Sequence, residues 1–359
     1  MFLTGGGCGI SFRPGEAINV PLYCAVRFGS IIFARQRWER ARLLSPQTDC
    51  ARTSPPPFGS HPRHARISLC YFAENADTAD RDDFCPSLVA DFTKHGFARL
   101  VKHGVPPAEI EQAFETSRQF FKLPVDQKLK SPHPPTLASG SPRRLQESHD
   151  IVAEHDELWS NIWPPAGVCD TFQPTFTSFL SVCYRAELAI LEAISIGLGL
   201  PPPTLSQLHA KQSNELRLTY YPAVSRGDFA HSTRIAAHTD FGTITLLFQD
   251  SVGGLQAESP PGSGIFVDVS SAGQHECIVN VGDCLSKWTG LNSVRHRVHL
   301  PEKTLCTSDE QDIVDERFSI AYFGKPDRSA SLRPLLGEVE ETPYMTAGEF
   351  QNMRIQGTY

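Results

Sequence analysis

Apolar residues in the first half of the chain recur mainly at helical spacing. Phe84, Leu88 and Phe92 lie three to four residues apart, which predicts a helix over 84–95. The apolar run that follows, at 96–101, predicts a short strand. The same periodicity predicts further helices over 108–123, 171–200 and 346–355.

After Glu215 the period changes from about 3.6 residues to 2, as expected for strands. Short β-rich runs follow one another, each bounded by glycine, proline, aspartate or serine. Closely spaced strands of this kind predict a sandwich or barrel, so the expected fold class is mainly β with flanking helices. The runs are 216–221, 235–239, 243–248, 254–257, 266–269, 277–281, 294–300 and 317–323.

Composition narrows the function classes. The 359-residue chain has 40% hydrophobic and 20% charged residues, which is typical of a globular protein. Its formal net charge of -7 argues against a general basic face that would bind nucleic acid. No apolar run reaches the roughly 18–20 residues needed to cross a membrane. The 10 cysteines are scattered without a CxxC pair, which favours buried thiols in a reducing, cytoplasmic setting. We expect no nucleic acid, membrane or obligate protein partner.

The N-terminal residues differ from the rest. Residues 1–65 are rich in arginine, contain no lysine and include the breaker sequence Ser54-Pro55-Pro56-Pro57. We expect a poorly ordered extension without catalytic residues, or an artefact of the gene model. Import into an organelle follows only if the extension acts as a transit peptide. Beyond it we expect a helical and strand region over 66–210 and a β core over 211–359.

One segment of the β region carries candidate metal chemistry. His238 and Asp240 lie two residues apart on a predicted strand, so they share a face. With a second imidazole they form a facial triad of two histidines and one carboxylate, which leaves three coordination positions open. His296 is the candidate, and His299 is the alternative. Taken alone, the short motif also fits a surface histidine followed by a capping aspartate.

A second candidate site lies on the last predicted strand. Arg317 and Ser319 share a face by the same two-residue period, and a guanidinium beside a hydroxyl forms a receptor for a carboxylate. In isolation the pair also fits an exposed strand edge.

Ordered motifs from 96 to 323 extend these observations. The N-terminal ones are Gly96-Phe97-Ala98-Arg99-Leu100-Val101-Lys102-His103-Gly104 and Phe120-Phe121-Lys122-Leu123-Pro124. The later ones are 217–222, 238–250, 253–256, 280–283, 296–298 and 317–323. In this order they resemble the Fe(II)/2-oxoglutarate-dependent oxygenases of the isopenicillin N synthase type, and among them the fungal enzymes that tailor small molecules.

The resemblance implies a double-stranded β-helix, or jelly roll, that oxidises a small molecule by hydroxylation or desaturation, within secondary-metabolite biosynthesis. Fe(II) is the implied metal, with 2-oxoglutarate and O2 as co-substrates. The implied Fe(II) ligands are His238, Asp240 and His296. The implied 2-oxoglutarate contacts are Arg317, Ser319 and Tyr221. The expected substrate pocket, which core packing explains about equally well, comprises Phe241, Leu247, Phe323 and Arg217.

Two alternatives stay open at this point. One is an oxidative cyclase of the isopenicillin N synthase type, which works without 2-oxoglutarate. The other is a non-catalytic binding protein on the same scaffold, suggested by two departures from the family pattern. The turn at 288–293 is short, and 139–156 lacks the segment that borders the substrate mouth in relatives.

Overall fold

Strands from both halves of the chain form the centre of the molecule. In the computed structural model the described residues are 66–68, 78–131, 146–230, 232–269, 273–301, 312–337 and 341–358. They lie in the unit formed by residues 60–359. The predictions for the extension over 1–65 lie outside the described residues.

Two principal sheets form the core. The larger one has seven strands in the order β1-β2-β10-β7-β13-β4-β3, and the smaller one has four in the order β6-β11-β8-β9. All their pairings are antiparallel except that of β1 with β2. The strands are β1 Arg66–Ser68, β2 Phe97–Val101, β3 Glu147–Val152, β4 Glu215–Tyr221, β5 Val224–Ser225, β6 Ile235–His238, β7 Ile244–Gln249, β8 Leu255–Glu258, β9 Phe266–Asp268, β10 Cys277–Val281, β11 His296–Val298, β12 Ile313–Val314 and β13 Arg317–Gly324.

Helices cover the outer face of the seven-stranded sheet. Leu246 and Phe248 of β7 belong to the same buried cluster as Phe179 and Ile190 of the long helix α4. The helices are α1 Thr78–His95, α2 Pro107–Phe121, α3 Val125–Lys128, α4 Phe172–Gly197, α5 Pro203–Ser206, α6 Asp283–Thr289 and α7 Ala347–Thr358. Among the residues that the structure describes, none of these helices is both long and apolar enough to cross a membrane.

The inner face of the same sheet packs against the smaller sheet. A second buried cluster joins Tyr221 and Ile278 from the large sheet with Leu255 and Val298 from the small one. Because side chains alternate along a strand, Leu247 contacts this inner cluster while its neighbours on β7 contact the helices. Apolar side chains of the two inner faces therefore hold the sheets together.

The predicted helices and most predicted strands are confirmed, and the elements that were not predicted include one strand of the large sheet and one helix near its end. Strand β3 was missed because its residues Ser148, His149 and Asp150 are polar and follow no clear alternation. Helix α6 was missed because Gly282 and Asp283 suggest a turn, whereas Gly282 is the N-cap of a seven-residue helix. The strand predicted over 294–300 is shorter and is limited to His296–Val298.

Candidate metal centre

Three side chains with metal-binding atoms meet at one end of the sheet pair. His238 is the last residue of β6, Asp240 follows two residues later, and His296 begins β11. Strands β6 and β11 pair with His238 opposite His296, so the two ring centroids are 4.4 Å apart. One ligand atom from each of the three residues lies within 4.8 Å of the others. The distant segments thus converge on one point.

Both imidazoles present the same nitrogen to this point. His238 Nδ1 lies 2.9 Å from the carbonyl oxygen of Ala236, and His296 Nδ1 lies 3.2 Å from that of Val294. A carbonyl oxygen can only accept a hydrogen bond, so each Nδ1 carries the proton that is donated and each neutral ring keeps its lone pair on Nε2. These Nε2 atoms lie 3.6 and 3.7 Å from the carboxylate of Asp240.

Asp240 is buried and held by two polar neighbours. Thr245 Oγ1 and Asn280 Nδ2 donate to the same oxygen, Oδ2, at 2.6 and 2.7 Å. Thr245 and Asn280 are register partners on adjacent strands β7 and β10. Burial alone would raise the pKa of Asp240, but His296, His238 and the Thr245 hydroxyl together hold it well below its usual range. The carboxylate is therefore ionised and fixed in orientation.

The alternative histidine lies elsewhere. His299 is half-buried and its ring is in contact with Phe229, with 5.7 Å between centroids. Its backbone N–H donates to the carbonyl of Gly254 at 2.9 Å. The structure brings His296, and not His299, to the cluster with His238 and Asp240, so the short turn at 288–293 does not displace it.

The second candidate site lies between the sheets. Arg317 Nη1 donates to Ser319 Oγ at 3.2 Å, which confirms that the two residues share a face. Arg317 Nη2 donates to Gln249 Oε1 at 2.5 Å, and the guanidinium carbon lies 4.8 Å from the ring centroid of Tyr221. All four side chains are buried. They form a polar patch on the inner face of the large sheet, and we call this set the arginine floor.

The four residues predicted to line a pocket occupy different places. Arg217 donates through Nε and Nη2 to both oxygens of Asp150 at 2.7 Å, and its guanidinium lies 5.6 Å from the Phe323 ring. Leu247 packs in the inner cluster. The Phe241 ring is covered by the guanidinium of Arg354 from helix α7 at 4.5 Å. The pocket role of these residues stays a prediction.

Helix α7 contributes a contact that the sequence did not indicate. Arg354 forms an ion pair with Asp283 and donates to Thr239 Oγ1 at 3.1 Å. Thr239 lies between two members of the cluster, and Asp283 N donates to the carbonyl of Asp240 at 2.8 Å. The C-terminal helix therefore braces the backbone that carries His238 and Asp240.

The donor set fits Fe(II). Two neutral imidazole nitrogens and one ionised carboxylate converge at distances that one ion can bridge. Such a set suits a divalent first-row metal, and two histidines with one carboxylate are typical of non-haem Fe(II) oxygenases. A cleft of about 570 Å³ lies along α4 and contains none of these side chains.

Comparison with known proteins agrees with this geometry. A family model described as the N-terminal region of non-haem dioxygenases in morphine synthesis matches residues 67–165. A second one, described as the 2OG-Fe(II) oxygenase superfamily, matches residues 213–326 and so spans the cluster and the arginine floor.

Two fungal relatives and one fungal structure illustrate the match. The chain is 40% identical over 306 residues to the proline hydroxylase buaE of Petromyces alliaceus, covering 78% of this chain and 94% of that protein. It is 38% identical over 322 residues to the 2-oxoglutarate-dependent dioxygenase frbA of a Dothideomycetidae species, covering 79% and 94%. Among solved structures, a full-length Neurospora crassa protein in complex with alpha-KG matches with a TM-score of 0.74 at 28% identity, covering 82% of this chain and 96% of that one.

Proposed function

The chain belongs to the family of 2-oxoglutarate- and Fe(II)-dependent oxygenases, and from this premise we propose that it hydroxylates a small molecule, a free amino acid. The family places it among oxidoreductases that use Fe(II) and 2-oxoglutarate. The observation that carries the proposal is the convergence of His238, Asp240 and His296 in a fold that also holds the arginine floor.

In this proposal the residues divide the work of binding. His238, Asp240 and His296 hold Fe(II) through Nε2, a carboxylate oxygen and Nε2. When bound, Fe(II) together with 2-oxoglutarate and O2 supplies the oxidising power that breaks an unactivated C–H bond. The second set, Arg317, Ser319 and Tyr221, binds the distal carboxylate of 2-oxoglutarate through charge-assisted hydrogen bonds.

The proposed substrate class rests on two supports. One of the relatives is named as a proline hydroxylase. In addition, Arg217 is near enough to the cluster that its charge acts on His238 and Asp240, and it is paired with Asp150 and Glu215. Here a guanidinium lies beside two carboxylates, and such a mixed charged surface complements the carboxylate and ammonium groups of an amino acid. We expect Arg217 and Phe323 to border the bound substrate.

The test is turnover with defined amino acids. Purified protein with Fe(II), 2-oxoglutarate and O2 is supplied with L-proline and with other free amino acids, and succinate and the product mass are measured. We expect succinate and a product heavier by one oxygen atom in equal amounts. Product without succinate would support the oxidative cyclase instead. Binding of 2-oxoglutarate without turnover of any amino acid would refute the proposed substrate class.

The place of action is a further proposal. We propose a cytoplasmic location, supported by the scattered cysteines, and the described ones are free thiols. Fluorescent tagging at the C-terminus of the full chain would test it.

A further inference from the structure

A second arginine is buried beside the arginine floor. Arg234 directly precedes β6 and is fully buried. Its Nη2 donates to the backbone carbonyl of Asp315 at 2.8 Å. Its Nε and Nη1 are buried and have no hydrogen-bond partner in the part of the chain that the structure describes. An enclosed guanidinium with two unpaired nitrogens is costly unless a ligand supplies acceptors.

Arg234 and Arg317 lie against the same aromatic ring. Their guanidinium carbons are 5.4 and 4.8 Å from the ring centroid of Tyr221. Arg317 Nε and Gln249 Nε2 are also buried without a partner among the described residues. Four unpaired donor atoms therefore lie near one ring, and these four belong to three side chains that come from three different segments.

The charge at this place is also unbalanced. Asp250 is the half-buried acid close to both guanidinium groups, and its oxygens already accept backbone N–H groups of Phe318 and Val252 at 2.5 and 3.0 Å. The other acid near Arg234, Asp315, is exposed. Burial and, next to it, the charge of Arg317 lower the pKa of Arg234 to about 10. The buried guanidinium groups of Arg234 and Arg317 therefore face one carboxylate, which already accepts two backbone hydrogen bonds. A further anion is needed to balance their charge.

We propose that Arg234 is a second binding residue for the distal carboxylate of 2-oxoglutarate, in addition to Arg317. This inference rests on the proposed function, because it concerns the same co-substrate site. An ionised carboxylate offers about four lone-pair positions, which is enough for both guanidinium groups, Ser319 and Tyr221. Arg234 would make the site select a 2-oxo acid that ends in a carboxylate over one that ends in a methyl group.

The experiment pairs a residue change with a ligand change. Anaerobic calorimetry on the Fe(II)-loaded protein measures Kd for 2-oxoglutarate and for 2-oxopentanoate, which has the same 2-oxo acid end but no distal carboxylate. The variants are Arg234→Met, which removes the charge, and Arg234→Lys, which keeps the charge but loses the planar fork. The control is Arg328→Met, because Arg328 is a half-buried arginine outside this site that, unlike Arg234, is held by a carboxylate, at 2.7 Å from Asp156.

Loss of a charge-assisted contact predicts that Arg234→Met raises Kd for 2-oxoglutarate by about 10- to 100-fold. Kd for 2-oxopentanoate should stay within about twofold, and Arg234→Lys should fall between. The ligand-free melting temperature of Arg234→Met should not fall below that of wild type, since an uncompensated buried charge is removed. Arg328→Met should lower the melting temperature and leave both Kd values unchanged.

Three results would overturn the inference. The first is an unchanged Kd for 2-oxoglutarate in Arg234→Met. The second is an equal loss of affinity for both ligands, and the third is a ligand-free melting temperature of Arg234→Met below that of Arg328→Met; either of these two shows a purely structural role. Failure of the proposed function looks different, because wild type would then bind no 2-oxoglutarate, or Arg317→Met would bind it as well as wild type.

Discussion

Replacing Thr245 with valine tests whether the orientation of Asp240 sets metal affinity. Valine keeps the shape of threonine but removes the hydroxyl that donates to Asp240 Oδ2 at 2.6 Å. Both residues are buried, so water cannot replace the lost hydrogen bond without cost. A hydrogen bond to a charged group contributes about 1.5–3 kcal/mol, which corresponds to a rise of about 10- to 150-fold in Kd for Fe(II).

The assay is anaerobic Fe(II) titration in competition with a chelator. The matched control is Thr116→Val, because Thr116 is also buried and its hydroxyl contacts Thr175 at 3.4 Å between helices α2 and α4. We expect Thr116→Val to bind Fe(II) as wild type does. If the two variants differ by less than twofold in Kd, the reasoning about Asp240 is refuted.

Three further changes give separate expectations. His296→Ala should abolish stoichiometric Fe(II) binding, and His299→Ala should retain it; the reverse result in the same titration would reassign the ligand. Arg354→Gln removes the ion pair with Asp283 and the contact over Phe241, so Kd for Fe(II) should rise up to about fivefold. Arg354→Lys should lie closer to wild type. Equal Kd values for Arg354→Gln and wild type would contradict the bracing role of α7. Burial raises the pKa of Glu187 from 4.5 to about 8. Between these two pKa values the native side chain keeps a proton that the unfolded one releases. The free energy of unfolding of wild type should therefore fall as pH rises between them. Glu187→Gln should remove this fall, on the order of a few kcal/mol in denaturant unfolding at pH 5 and pH 8. Parallel pH profiles of the two proteins would exclude an ionisable Glu187 as the cause.

Much of the metal centre could be predicted from local pattern. Spacing of two residues was enough to relate Arg317 to Ser319, because a strand fixes which side chains share a face. The same spacing related His238 to Asp240, although β6 ends at His238 and Asp240 lies just beyond the strand. Family motifs then related both pairs to His296. These predictions needed no knowledge of which strands are neighbours.

The supporting residues could not be predicted in this way. Asn280 reaches Asp240 only because β10 pairs with β7 and places it opposite Thr245, and strand order is not written in any local period. Arg234 was not noticed because a single arginine before a strand is usually solvated. Its burial becomes evident only in the folded chain, where its guanidinium lies against Tyr221 of the other sheet.

Strand order also has a consequence for how the chain must assemble. Early strands cover both flanks of the large sheet, with β1 and β2 beside β10 on one side and β3 beside β4 on the other. Without them, β10 and β4 would be open edges able to pair with other chains. The pairing of β2 with β10 joins residues about 180 positions apart, such as Ala98 and Val279. Contacts between residues so distant in the sequence form slowly, so this edge of the sheet is expected to close late in folding. A chain interrupted between β2 and β10 should therefore aggregate. The N-terminal strands β1 and β2 thus protect the edge at β10 from pairing with other chains.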